Sequence, residues 1–151
     1  MAWWLMVTVL FNGVLTGASL DKVIVQLPAR RRIGPVAYAG YARAADLTNG
    51  IAFYAVTGIA AAVLTITTAG VAIVGDASTP TRFLLSVAAG LSVLHSAATA
   101  VAAPTMFRVG RGPDTEAVLG PLLTRFAYAS AVRAVLQVAT FVLVTVAATK
   151  A

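Results

Sequence analysis

Four stretches of the chain stay apolar long enough to cross a bilayer: residues 2–20, 51–75, 83–103 and 126–148. A helix rises 1.5 Å per residue and the hydrocarbon layer is about 30 Å thick, so a span needs about 20 apolar residues. Each stretch meets or approaches that length, and the polar positions collect in the connections between them. The pattern predicts an all-α protein, an integral membrane four-helix transmembrane bundle forming a single domain over residues 1–151. The first stretch lacks the basic leader of a secretory signal and reads as a retained span.

The longest polar stretch, residues 21–49, carries Lys22, Arg30, Arg31, Arg32 and Arg43. Pro28, Gly34 and Pro35 interrupt it, which predicts a turn over residues 28–35 and a helical restart that feeds the second span. The second connection, residues 76–82, is short enough to demand an antiparallel hairpin, with Ser78 or Thr79 capping the next helix and Pro80 in its first turn. Gly110, Gly112, Pro113 and Pro121 act as breakers in the third connection, which holds Arg108, Arg111 and Arg125. The second connection has only Arg82 and the C-terminal tail only Lys150. This asymmetry predicts a multi-pass cell-membrane protein with both termini outside and the basic connections in the cytoplasm. Trp3, Trp4, Tyr38 and Tyr41 suit the interfacial belts.

Composition sharpens this picture. Of 151 residues, 60% are hydrophobic and 11% charged, with a mean hydropathy of +0.90, whereas soluble domains carry about 25% charged residues. A net charge of +6 would raise nucleic acid as a partner in a soluble protein. Here it follows from the basic connections, so the expected partner is the lipid bilayer and not nucleic acid. The chain has no cysteine and one histidine, which is a poor ligand set for a transition metal; no metal and no cofactor are expected.

Polar side chains within a membrane are costly unless they meet a partner or water, so they mark candidate sites. Arg125, Ala129, Arg133 and Gln137 recur every four residues and share one face of the fourth span. His95 lies on the third span with Ser92 and Thr99 on the same side, at a depth similar to that of Arg133. On the first span Gly13, Gly17 and Asp21 form a small-xxx-small strip that ends in a carboxylate, beside a polar strip of Asn12, Thr16 and Ser19. Arg43, Asp46 and Asn49 are spaced by three ahead of Gly50 and Tyr54. These residues predict one polar pocket at the cytoplasmic mouth, formed by Asp21, Asp46, Asn49, Tyr54, His95, Arg125 and Arg133. Arg133 is expected to share an electrostatic network with Asp21 or Asp46, because an arginine held that deep needs an anion, water or carbonyls. The same groups would equally serve as interhelical pairs that fix packing.

The stretch Leu27-Pro28-Ala29 after the first span, Pro104 at the end of the third, and the pattern Arg125-Phe126…Ser130…Arg133 in the fourth resemble the anthrone-oxygenase-like family of small four-helix membrane proteins, mostly of unknown function. The last span of that family commonly reads Arg-Trp…Asn…Arg; here Phe126 stands for the Trp and Ser130 for the Asn. The resemblance implies a cofactor-independent oxygenation of a lipophilic polycyclic or phenolic small molecule such as an anthrone. A base would form a carbanion-like substrate that reacts directly with oxygen, with His95 or Asp46 as base and Arg133 stabilising the enolate. The alternative is a non-catalytic accessory subunit of a larger membrane complex, or a homo-oligomer. An enzyme needs a ligand-sized cavity beside His95, Arg125 and Arg133, whereas a subunit would fill that space with Ala, Val and Leu.

Overall fold

A computed structural model describes residues 2–150. The chain folds as α1 (Ala2–Asp21), a π-helical turn (Lys22–Gln26), α2 (Leu27–Ile33), α3 (Pro35–Ala45), α4 (Asn49–Val74), α5 (Thr79–Arg111) and α6 (Glu116–Ala148). Among the described residues there is no strand. Four helices are long and apolar enough to cross a membrane: Trp3–Ile33, Asn49–Val74, Thr79–Arg111 and Glu116–Ala148. The outer surface carries Ile59, Phe83 and Val135, each at least 66% exposed. Lipid is the solvent that accepts such a surface, so this is a multi-pass membrane protein.

The spans alternate in direction, which brings both chain ends to one end of the bundle. Leu5, Ala72, Leu85 and Val144 close that end. Leu27, Tyr38, Val109, Leu119 and Phe126 pack the other. Between the two apolar clusters lies a polar layer. Asn12 Nδ2 donates to Thr65 Oγ1 at 2.9 Å, Gln137 Nε2 donates to Asn12 Oδ1 at 3.0 Å, and the Thr8 and Thr68 hydroxyls are 2.8 Å apart. In a bundle whose surroundings are as apolar as its core, such bonds and close contact of small residues hold helices together.

Several sequence boundaries change. The first span does not stop near residue 20, because helical structure continues to Ile33 through the π turn. The ring of Pro28 crowds the carbonyl four residues back, on Ile24, and the backbone widens around it: the Leu27 N–H bonds to the Lys22 carbonyl instead. The real break is Gly34, whose φ of 83° is the one positive value among the described residues; a glycine adopts it without steric cost. Pro104 does not end the third span and Pro121 does not break the third connection. Both lie inside long helices. Membrane helices tolerate such prolines because nearby hydroxyls help satisfy backbone carbonyls, and Thr105 Oγ1 donates to the Val101 carbonyl at 2.9 Å in the same turn as Pro104. Ser78 caps α5, with Pro80 in its first turn.

Of the proposed strip on α1, Gly13 packs against a neighbour, since a methyl there would sit 3.3 Å from the Phe141 ring. Gly17 does not; it is exposed and meets nothing. Tyr38 is not interfacial. It is 1% exposed within the cluster closing the basic end, while Tyr41, Trp3 and Trp4 remain at the surface.

Candidate functional site

The segment between α3 and α4 is anchored residue by residue. Arg43 donates to the carbonyls of Val109, Gly110 and Gly112 at 3.1–3.2 Å and to Asp114 at 2.7 Å, so its planar fork caps the carbonyl end of α5. Leu47 seats directly over Gly110, and Gly50 lies under the Ala45 carbonyl, where a side chain would collide at 2.7 Å. With Arg43, Leu47 and Gly50 docked, the intervening Asp46 is carried to the bundle interior.

There Asp46 meets Lys22. Lys22 continues the buried face of α1, seven residues after Leu15, and is 6% exposed; its Nζ lies 2.5 Å from Asp46 Oδ1 and 2.5 Å from Gln26 Oε1. The ammonium also stands 5.8 Å from the centre of the Tyr54 ring, within cation–π range. Gln26 Nε2 in turn donates to Asp21 Oδ2 at 2.5 Å, at the exposed edge.

Below this pair lies a cavity of about 240 Å³ between α1, α4, α5 and α6. Its apolar wall includes Met106, Phe107 and Phe126, and its polar wall includes Lys22, Asp46, Tyr54, Thr99, Ser130 and Arg133. Three of these polar groups are incompletely bonded: Asp46 Oδ2, Ser130 Oγ and Arg133 Nε are buried without a hydrogen-bond partner. Among the described residues no carboxylate lies within 4.0 Å of the Arg133 guanidinium; the two ion pairs are Lys22–Asp46 and Arg43–Asp114. Such a cavity can seat a small, mostly apolar molecule and offer it both donors and an acceptor.

Of the sequence candidates, Asp46, Tyr54 and Arg133 come together here. His95 does not line the cavity. Its ring is buried and its Nδ1 lies 3.1 Å from the Arg133 backbone carbonyl, so it braces α5 against α6 and takes no direct place at the site. Asp21 is exposed and engaged by Gln26. Asn49 is exposed at the start of α4, because α3 ends at Ala45 and the intervening turn breaks the common face that the spacing suggested. Arg125 is also exposed: the four-residue repeat drifts around α6, so Arg125 leaves the bundle while Arg133 enters it. The expected network is therefore corrected, since Asp46 pairs with Lys22 and, among the described residues, no acid lies within 4.0 Å of Arg133.

Lys22 is the cavity-lining residue that charge counting missed. It looked like one more cation beyond the first span, and only a lysine four before Gln26 and six before Pro28 hinted otherwise. Phe126, Ser130 and Arg133, three residues of the fourth-span pattern, all face the cavity. Among the described residues no group of three metal-binding side chains is assembled. Comparison with protein-family models, curated proteins and solved structures returns no match for this chain.

Proposed function

We propose that this protein is a membrane enzyme acting on a small lipophilic polycyclic or phenolic molecule, of the anthrone-oxygenase-like kind that its residues resemble. The observation that supports it is the cavity: an accessory subunit would fill this space with aliphatic side chains, whereas here it stays open beside three polar atoms without partners. In this reading Asp46 is the base, held in place by Lys22, and its Oδ2, which has no partner, takes the substrate proton. Tyr54 and Phe126 flank an aromatic substrate, and Ser130 and Arg133 orient it. Oxygenation of a carbanion by dioxygen requires no metal or organic cofactor, so none is assigned. The basic end of the bundle faces the cytoplasm and both termini lie outside, by the Lys/Arg asymmetry.

The test is purification from native membranes followed by mass spectrometry of bound proteins and small molecules. An isolated chain carrying an organic ligand, with turnover of anthrone that Asp46→Asn abolishes, is the expected result. A stoichiometric protein partner and no bound ligand would replace the enzyme with the accessory subunit.

A further inference from the structure

The charges at the cavity do not balance. Lys22 and Asp46 neutralise one another across 2.5 Å. Arg133 then remains as a guanidinium inside a membrane-spanning helix, with no carboxylate within 4.0 Å among the described residues and its Nε buried without a partner. An arginine keeps its charge even when desolvated, and an uncompensated charge in low dielectric is costly. One turn away on the same face, Ser130 is 95% buried and lines the same cavity, and its hydroxyl has no partner. Two side chains with unused donors therefore border one space that has room for a guest.

We infer that the cavity takes a lipophilic monoanion, whose charged oxygen lies on the Arg133 guanidinium and the Ser130 hydroxyl and serves as the counter-ion that the protein itself omits. This rests on reading the cavity as a small-molecule site and adds the ionic state of the occupant. A volume of about 240 Å³ falls just below the range of about 300–1,000 Å³ typical of ligand pockets. That is too small to enclose a two-chain phospholipid whole and suits a two-ring aromatic acid or an acidic phenol. A hydroxyl elsewhere on the molecule would satisfy Asp46 Oδ2, the remaining unpartnered acceptor.

The probe is 6-hydroxy-2-naphthoate, compared with its methyl ester, which keeps the rings and the hydroxyl and loses the charge. Each is titrated by fluorescence against the purified full-length chain in neutral detergent at pH 7.5, with protein-free micelles as the partition baseline. The acid is expected to bind at least tenfold more tightly than the ester. Arg133→Gln should reduce the acid to the affinity of the ester. Arg133→Lys, which keeps the charge without the planar fork, should retain the preference at lower affinity, and exposed Arg108→Gln should change nothing. An ester that binds as tightly as the acid, or an Arg133→Gln chain that still prefers the acid tenfold, overturns the monoanion while leaving the small-molecule site standing. Saturable binding of neither probe overturns the site reading and the inference together. The acid–ester comparison is made on the unmodified chain, so it decides the matter even where a variant fails to fold. Repeating the titration with 2,6-dihydroxynaphthalene adds a second uncharged comparison: tight binding of this neutral diphenol at pH 7.5 counts against the monoanion, and weak binding supports it.

Discussion

Lys22 carries the cavity because it is the partner that makes a buried Asp46 tolerable. Their side chains are 8% and 10% exposed, and Asp46 Oδ2 already lacks a partner, so Lys22→Met would leave the carboxylate with none. Removing one member of a buried pair costs about 3 kcal/mol or more, whereas replacing both by apolar groups is often nearly neutral. Lys22→Met should lower unfolding stability in detergent by about that amount, and the double variant Lys22→Met, Asp46→Leu should recover most of it; a single variant as stable as the parent would refute the pairing. Tyr38 offers a second residue-level test, outside the spanning helices. Burial first, and then the Asp46 carboxylate, push its phenol well above the ordinary value of 10.0, and its hydroxyl is buried without a partner. The folded chain thus holds this proton to higher pH than the unfolded chain. The contribution is complete below about pH 10 and is lost as pH rises further. Tyr38→Phe should match the parent at pH 7 and lose less stability between pH 10 and 11, measured by chemical unfolding; an alkaline loss equal to the parent's would exclude Tyr38 as its source. The anchored turn was partly visible in the sequence, where Arg43, Asp46 and Gly50 stood out by type and spacing. Their roles were not, because whether an arginine caps a helix or pairs with an acid depends on which helix end packs beside it.

At the scale of the element, α1 shows how far spacing alone reaches. Gly13 and Gly17 are four apart and share a helical face in principle, yet only Gly13 meets α6, at the Phe141 ring. Gly17, four residues on, lies on the exposed side of the helix. Gly13→Leu should cost about 1–3 kcal/mol by overpacking. Gly17→Leu faces outward and should stay within about 0.5 kcal/mol of the parent. Thermal unfolding of the two variants in the same detergent separates them, and equal losses would refute this helix contact. The π turn is the other element-level feature. It adds a residue to the turn ahead of Pro28, so that Leu27, five residues after the buried Lys22, takes the next inward position, which a count of 3.6 residues per turn would give to Gln26.

At the scale of the whole molecule, charge is divided between the two ends. Lys22, Arg30, Arg31, Arg32, Arg43, Arg108, Arg111 and Arg125 belong to the end that holds the cavity, while Arg82 and Lys150 belong to the end that holds both termini. If the positive-inside bias sets the orientation, reporters fused after Lys150 and inserted within residues 76–81 should both read external. A cytoplasmic signal from either would reverse the assignment and place the mouth of the cavity on the opposite face of the membrane.

Apolar length and helical rise were enough to establish four spans, their antiparallel order and the all-α class, because a bilayer leaves a chain few ways to satisfy its backbone. The capped hairpin at Ser78 and the helical restart at Pro35 were likewise local matters, decided by residues in contact along the chain. Site membership was not local. Asp46, Tyr54 and Arg133 were recognisable as polar groups near one level, but His95, Asp21, Asn49 and Arg125 shared that level and face elsewhere. Depth along a helix follows from counting residues, whereas the direction in which a side chain points depends on π turns, helix breaks and the rotation of each helix against its neighbours. Those rotations are settled by long-range packing, and they determined that Lys22 would neutralise Asp46 and leave Arg133 without an acid.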